Sequence, residues 1–119
     1  MLGSLIRSGT SPALALLVVL PALSWARQIP TGRELAHDVY KGNCLACHQI
    51  PGDSTAITRA NIGPPLYRMK ERFPDRAELR RQIWDPTVRN PQTVMPPFGK
   101  HKVLTEEEID LIVDYLYQH

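Results

Sequence analysis

Cys44-Leu45-Ala46-Cys47-His48 is the pattern at which c-type haem is attached to a polypeptide. In one tight helical turn, residues three apart lie on the same side, so both cysteine sulfurs reach the two vinyl-derived carbons at one edge of the haem. The adjacent His48 then lies below the iron. The pattern therefore predicts one covalent haem c, with thioether bonds from Cys44 and Cys47 and with His48 as an iron ligand.

Two other uses of a cysteine pair compete with haem attachment. A thioredoxin-like redox pair would lie in a chain of alternating strands and helices, and that alternation is missing around Cys44. A closed structural zinc site needs two further ligands, and the chain has only two cysteines. The missing ligands would have to come from His37, His101, His119 or the carboxylates.

Residues 1–26 have the pattern of a cleavable export signal. Arg7 is followed by an apolar run over residues 12–20 and by the small-x-small cleavage pattern Ser24-Trp25-Ala26. The apolar run is shorter than a membrane span, although an uncleaved anchor is the alternative. We therefore expect a signal peptide over residues 1–26, a mature domain over residues 27–119 and a periplasmic location, where the thioether bonds are made.

Composition limits the remaining possibilities. The net charge of +2 is too small for a nucleic-acid binder. A mature chain of this size has a marginal apolar core, so an enclosed haem must supply much of the buried surface. We therefore expect the chain to be largely unfolded without haem.

Helical spacing predicts an all-α fold of three to five helices around one haem. The first helix is expected from Gly32 to Tyr40, a short one over residues 66–72, and a third between Asp75 and Asp85 with an Asp75/Glu78 capping box. The last begins at Thr105, with Glu108 completing a capping box. Its apolar stripe, which we expect to pack against the first helix, consists of Ile109, Ile112, Val113 and Leu116.

The second axial ligand of the iron is expected on the irregular, proline-rich segment over residues 87–100, the distal loop. Met95 lies in a stiff proline-rich segment about fifty residues after His48, whereas Met69 lies among charged residues on a predicted helix, so Met95 is favoured. A five-coordinate or bis-histidine iron is the alternative, with His37 and His101 otherwise hydrogen-bonded or solvated.

Three further features have open interpretations. The turn around Gly63-Pro64-Pro65 leaves free carbonyls, one of which can accept the ring N–H of His48, or the prolines simply shape the loop. Basic residues between Arg68 and Arg81 form either a solvated helix face or a docking surface for an acidic partner. Tyr67 and Trp84 either touch the haem propionates or, as we favour, fill the core.

Taken together, these residues resemble a class I cytochrome c, and more narrowly the SoxX family, the monohaem subunits of SoxAX sulfur-oxidation complexes. Several motifs occur in the same order. They are residues 42–52 around the cysteines, Asn61-Ile62-Gly63-Pro64-Pro65-Leu66, Gln82-Ile83-Trp84-Asp85 and Met95-Pro96-Pro97-Phe98-Gly99. The resemblance covers residues 34–117.

The resemblance implies a role for each matching residue and for the complex. Cys44 and Cys47 would carry the haem, His48 and Met95 would be the proximal and distal iron ligands, and Pro64 would accept the His48 hydrogen bond. The chain would be the electron-transfer subunit, not catalytic alone, of a heterodimeric L-cysteine S-thiosulfotransferase. Its implied partners are a SoxA-like dihaem or monohaem cytochrome, a SoxYZ-like carrier protein and a downstream electron acceptor. The alternatives are a free periplasmic electron shuttle and a thiol-disulfide enzyme.

Overall fold

The computed structural model describes Met1, Gly3, Gly9 and residues 28–119. Its four α-helices are α1 (Gly32–His37), α2 (Met69–Arg72), α3 (Arg76–Trp84) and α4 (Glu106–Leu116). Two short 3-10 helices cover Cys44–Ala46 and Pro86–Val88, and the described part of the chain contains no strand. The prediction of a small all-α fold is confirmed. The expected signal peptide, apart from Met1, Gly3 and Gly9, lies outside the described residues.

The contact between α1 and α4 closes the fold. Thr31 and Glu34 form a capping box at the start of α1, which the sequence analysis missed. Gly32 lies directly against α4, because a Cβ atom at this position would be 2.9 Å from the Cβ of Tyr115 and nearer still to the Leu111 carbonyl. The expected capping box of Thr105 and Glu108 opens α4, and the expected packing of α4 on the first helix is confirmed.

The first helix is shorter than predicted. It ends at His37, and Val39 and Tyr40, which were expected on its apolar face, are 65% and 89% exposed. The Asp38 carboxylate accepts the Tyr40 amide at 2.8 Å, so an aspartate turn replaces the next helical hydrogen bonds. The chain then turns sharply toward the cysteines.

Two other helix starts also differ from the prediction. The helix expected over residues 66–72 begins only at Met69, because the Leu66 amide donates to the Gln49 carbonyl at 2.7 Å and Arg68 is left-handed with φ 51°. Asp75 does cap α3 by accepting the Ala77 amide at 2.9 Å. The predicted capping box with Glu78 is wrong, because Glu78 bonds Asp75 through its backbone amide and its side chain takes no part in the cap.

The basic face of α3 is neutralised within the molecule. Arg76 binds Asp110 at 3.1 Å and Asp114 at 2.6 Å, and Arg80 binds Asp110 at 3.0 Å and also Glu106. Neither sequence interpretation, a solvated face or a docking surface, included these pairs with α4. The ion pairs join α3 to α4 along the exposed edge of their contact.

The core lies between α1, α3 and α4 and the loops that connect them. Its most buried large side chains include Leu35, Met69, Ile109, Ile112 and Val113, each at most 2% exposed. All four residues of the predicted α4 stripe are buried. Among the described helices, none combines the length and the apolar character that crossing a membrane requires.

Candidate haem-binding site

A cavity of about 600 Å³ opens between the cysteine motif and the proline-rich distal loop. Its lining includes Cys44, Cys47 and His48 on one side and Met95 from the distal loop. Most of the remaining lining residues are apolar, and they include core residues such as Leu79 and Ile112. The structure thus brings both thiols, one imidazole and one thioether from the sequence prediction to the same cavity.

The cysteine motif is held in a compact turn. Asn43 introduces it in the left-handed conformation, with φ 46°, which asparagine tolerates better than most residues. The amides of Cys47 and His48 both donate to the Cys44 carbonyl, at 3.1 and 2.9 Å. Gly42 lies close by, since a Cβ there would be 3.3 Å from the Cys44 sulfur. This turn presents the two sulfurs and the imidazole to one cavity.

The Cys44 thiol is a poor nucleophile in this environment. Burial raises its pKa to about 11. At pH 7 only about one molecule in ten thousand would carry the thiolate, whereas redox enzymes lower the pKa of the attacking cysteine. The two cysteines are free thiols in the structure. The environment of Cys44 therefore argues against the thiol-disulfide enzyme considered from the sequence.

The turn at Gly63 and Pro64 packs against His48 and fixes the orientation of its ring. Its Nδ1 lies 2.6 Å from the Pro64 carbonyl oxygen. Because a carbonyl can only accept, Nδ1 carries the proton and the Nε2 lone pair is free for a metal. Gly63 packs against the ring, since a Cβ at this position would lie 2.7 Å from Nε2 and closer still to Cε1 and Nδ1. This position admits only glycine without movement of the ring.

The loop after His48 folds back over the cysteine turn. The Gly63 amide donates to the Cys47 carbonyl at 2.8 Å, and the Thr58 hydroxyl donates to the Leu45 carbonyl at 2.9 Å. The Gln49 side chain reaches the Ala60 carbonyl at 2.9 Å. These bonds hold the Gly63-Pro64 turn against the cysteine motif.

The distal loop is anchored on Trp84. The Trp84 carbonyl accepts the amides of Gly99 and Lys100, both at 3.2 Å. The Trp84 ring lies so close to Gly99 that a Cβ there would overlap it. Trp84 therefore positions the loop that carries Met95, and it is absent from the cavity lining.

Both methionines of the described domain line the cavity, but their environments differ. Met69 is 2% exposed and part of the core, and its sulfur accepts from Arg72 Nη1 at 3.5 Å. Met95 is half-buried, and its sulfur has a more distant polar neighbour, Gln82 Nε2 at 3.9 Å. The charged residues next to Met69 in the sequence give no indication of this burial. Gln82 was missed because a glutamine on a helix carries no distinctive signal.

The other candidate ligands lie elsewhere. His37 Nε2 is 3.3 Å from the Tyr115 hydroxyl and 3.5 Å from Asp53, away from the cavity lining. His101 is exposed and Tyr67 is 47% exposed, and neither lines the cavity. Within residues 28–119, no cluster of three or more histidine, cysteine or acidic side chains could hold a metal ion. The arrangement gives no support to a closed zinc site.

The donors present fit haem c. Two thiols separated by one turn match the two attachment carbons, and a histidine with a free Nε2 matches an iron ligand. The cavity volume of about 600 Å³ lies within the range of cofactor pockets, and its lining is mainly apolar. A flat apolar macrocycle would fill this space.

A family model described as "Cytochrome C oxidase, cbb3-type, subunit III" matches residues 33–116, most of the described domain. The chain belongs to this cytochrome c family. Membership implies haem c as the cofactor and electron transfer as the class of function, in agreement with the placement of Cys44, Cys47 and His48 in one turn.

Among curated proteins, the cytochrome domain is similar to an uncharacterized lipoprotein of Aquifex aeolicus strain VF5. The two are 42% identical over 77 residues, which is 65% of this chain and 36% of the relative. The match therefore spans about a third of the relative's length. The name of that relative states no activity.

Among solved structures, the cytochrome domain is similar to a chain in the crystal structure of SoxXA from P. pantotrophus. The TM-score is 0.65 at 24% sequence identity, and the match covers 75% of this chain and 82% of that chain. At this identity the likeness establishes the fold. That fold is the SoxX-like cytochrome fold expected from the sequence motifs.

Proposed function

We propose that this chain carries one haem c, bound through Cys44 and Cys47, with His48 and Met95 as the axial iron ligands. The observation that carries the proposal is the convergence of two thiols, one imidazole and one thioether on a single apolar cavity. The hydrogen bond from His48 Nδ1 to Pro64 makes Nε2 a stronger donor and keeps the ring from rotating.

Met95 is the better candidate for the distal position. The Trp84 carbonyl and ring hold the Met95 loop in place. Because the loop is anchored, the Met95 thioether would stay at the iron even though the bond between sulfur and iron is weak. Met69 is a buried core residue whose sulfur already accepts from Arg72. A methionine in that position contributes more through packing.

With haem bound, the iron supplies a one-electron couple between its ferric and ferrous states. His48 and Met95 would hold the iron, the apolar lining would exclude water from it, and the Pro64 carbonyl fixes the His48 tautomer. A domain built in this way has no open position for a substrate, so electron transfer is the chemistry it supports.

The specific role that we favour is the electron-transfer subunit of a SoxAX-type thiosulfotransferase. Four sequence motifs in SoxX order and the fold shared with SoxXA support it. Both cysteines are used by the proposed haem, and the chain has only these two. A catalytic cysteine-ligated haem would therefore belong to a SoxA-like partner, with a SoxYZ-like protein carrying the substrate cysteine.

We further propose that the chain is exported and acts in the periplasm after removal of residues 1–26. The charge, apolar run and Ala26 cleavage pattern support this. The name lipoprotein of the Aquifex relative describes an exported protein, and it agrees with the same location.

The test is purification of the tagged full chain from its native host, grown with thiosulfate. We expect a second cytochrome in a fixed ratio, and reduction of this chain's haem by thiosulfate only when that partner and a carrier protein are present. A Met95→Ala variant, which keeps His48 and both cysteines, should retain the partner and be reduced more slowly, because its midpoint potential is lower.

A second function, a free electron shuttle, is favoured by one observation. The family to which the chain belongs is named for a subunit of an oxidase. A shuttle would purify as a monomer and would reduce an isolated oxidase without any thiosulfate-oxidising protein. That result would overturn the SoxAX assignment and leave the haem assignment in place.

A further inference from the structure

One polar side chain of α3 faces the haem cavity. Of the nine described residues of α3, three line the cavity, namely Leu79, Gln82 and Ile83, and their spacing of three and four residues places them on one side of the helix. Leu79 and Ile83 are core residues, 3% and 5% exposed. An amide on the apolar side of a helix is costly unless it is hydrogen-bonded. The partner of Gln82 therefore indicates what this side chain does.

The partner is the sulfur of Met95. Gln82 Nε2 lies 3.9 Å from this sulfur, and the side chain makes no other hydrogen bond within residues 28–119. A thioether sulfur is a weak acceptor, and because it is larger than oxygen its hydrogen bonds are longer. Both residues are half-buried, and both line the cavity. The contact joins α3 to the distal loop, thirteen residues later in the chain.

The sulfur of Met69 also has a donor, but the two contacts differ in kind. Arg72 Nη1 lies 3.5 Å from that sulfur, and it also donates to the carbonyls of Pro65 at 2.8 Å and Tyr67 at 3.3 Å. These two carbonyls hold the guanidinium whether or not the sulfur is present. Gln82, by contrast, bonds only a methionine sulfur, so this contact alone sets where its amide lies.

The distal loop does not depend on Gln82 for its position. The Met95 amide donates to Thr93 Oγ1 at 3.1 Å, and the Trp84 carbonyl accepts two amides from the end of the loop. These bonds anchor the backbone on both sides of the methionine. What Gln82 adds is a contact with the sulfur itself, the atom that is proposed to bind iron.

We propose that Gln82 is a positioning residue for the Met95 thioether. The inference rests on the proposed function, in which Met95 is the distal ligand. A thioether sulfur has two lone pairs, so an amide that donates to one of them leaves only the other free for a metal. The Pro64 carbonyl acts in the same way on the opposite ligand, where it leaves only Nε2 of His48 free.

The same contact should raise the midpoint potential. An N–H donor draws electron density from the sulfur, and the positive end of its dipole lies next to the ligand atom. Both effects disfavour the ferric state, which carries the higher charge. Gln82 thus acts through Met95 and has no need to touch the iron.

The test is the midpoint potential of the purified haem protein, measured spectroelectrochemically for the wild type and for Q82L. Leucine suits the apolar side of α3 and removes the amide. A neutral hydrogen bond is worth a factor of about two to ten in an equilibrium constant. At the wild-type midpoint the ratio of ferric to ferrous protein should therefore rise by about that factor, which is a fall of about 20 to 60 mV at about 59 mV per tenfold change. The near-infrared sulfur-to-iron band should persist.

A second measurement reports on the sulfur directly. In the proton NMR spectrum of the ferrous protein, the Met95 methyl group should give one narrow resonance, because only one lone pair is free to bind. In Q82L either lone pair can bind, so this resonance should shift or broaden by exchange. A glutamine that served only to pack α3 would leave the resonance unchanged on replacement by leucine.

The matched control is Q92L. It makes the same substitution on the distal loop, at an exposed residue outside the cavity lining. We expect it to keep both the wild-type potential and the wild-type methyl resonance. Denaturant unfolding of both variants checks that each is folded before the comparison.

The outcomes are distinct. A lower potential with the near-infrared band retained in Q82L, together with an altered methyl resonance that Q92L does not show, supports the inference. A potential and a resonance equal to those of Q92L overturn it, while the haem and Met95 assignments stand. A wild-type protein that lacks the band overturns the Met95 assignment and the inference together.

Discussion

The imidazole Nδ1 of His48 lies 2.6 Å from the carbonyl oxygen of Pro64. The bond joins the cysteine motif to a turn sixteen residues later in the chain, and it leaves only Nε2 free to bind a metal. Gly63 supports the arrangement by packing against the ring. The geometry of one proposed iron ligand thus depends on a backbone segment with no reactive side chain.

Gly63→Ala should disturb this ligand. The new methyl group would lie 2.7 Å from Nε2 and closer to other ring atoms, so either the ring or the turn must move. We expect weakened iron ligation and a loss of stability of about 1–3 kcal/mol from overpacking, measured by denaturant unfolding of the haem protein. Ile57→Ala, at an 89% exposed residue outside the cavity lining, is the control and should change little. An unaltered spectrum and stability in Gly63→Ala would contradict this account of the ring position.

The two methionines can be separated by a pair of variants. Met95→Ala should remove the near-infrared sulfur-to-iron band and lower the midpoint potential by on the order of 100 mV, a fraction of the range that axial ligands span. Met69→Leu conserves volume in the core, so we expect the band to remain and a cost below about 1.5 kcal/mol. The opposite pattern would make Met69 the ligand.

Tyr115 should contribute more stability than Tyr117 although each loses one hydroxyl on substitution by Phe. The Tyr115 hydroxyl donates to the Asp53 carboxylate at 2.5 Å, whereas the Tyr117 hydroxyl donates to the neutral Phe73 carbonyl at 2.6 Å. Hydrogen bonds to charged groups are worth about 1.5–3 kcal/mol and neutral ones about 0.5–1.5 kcal/mol. We therefore expect Tyr115→Phe to be the more destabilising variant in denaturant unfolding.

The same pair of variants should differ in acid. Hydrogen bonds from Thr55 and then Tyr115 hold the pKa of Asp53 well below its ordinary value. A lowered carboxyl pKa stabilises the fold above the unfolded-state value of about 3.9, and this stabilisation is lost as the pH falls toward the folded-state pKa. Tyr115→Phe should therefore lose less unfolding free energy than the wild type between pH 5 and pH 3. Tyr117→Phe should follow the wild-type slope, and equal slopes in both variants would exclude this role for Tyr115.

The ion pairs between α3 and α4 should be salt-sensitive. Asp110 accepts from Arg76 and Arg80, at 3.1 and 3.0 Å, and is 44% exposed. Asp110→Asn should cost about 0.5–1 kcal/mol at low ionic strength, and the cost should shrink in 1 M salt because exposed charges are screened. Asp114→Asn, which affects only Arg76, should have a smaller effect. A cost independent of salt would indicate a packing role instead.

The parts of the fold that follow local rules were predictable from the sequence. The capping box at Thr105 and the apolar stripe from Ile109 to Leu116 place α4 and its buried face, because both signals come from residues within one helix. The fixed spacing of Cys44, Cys47 and His48 likewise predicts the compact turn that presents both sulfurs and the imidazole to the cavity. These signals need no knowledge of the rest of the chain.

Other features depend on contacts between distant segments. The start of α2 at Met69 depends on the hydrogen bond from the Leu66 amide to the Gln49 carbonyl, and the pairing of Arg80 with α4 requires knowing which helix faces it. Similarly, nothing in the local sequence shows that Gly99 is packed against Trp84 or that Arg89 lies beside the cavity. Only the folded chain brings these residues together.

The most direct test of the account is the intact mass and absorption spectrum of the mature protein purified from the periplasm. We expect the mass of residues 27–119 plus one haem, the spectrum of a six-coordinate c-type cytochrome and no thiol that reacts after denaturation. A colourless protein with the mass of the bare chain and two titratable thiols would contradict it.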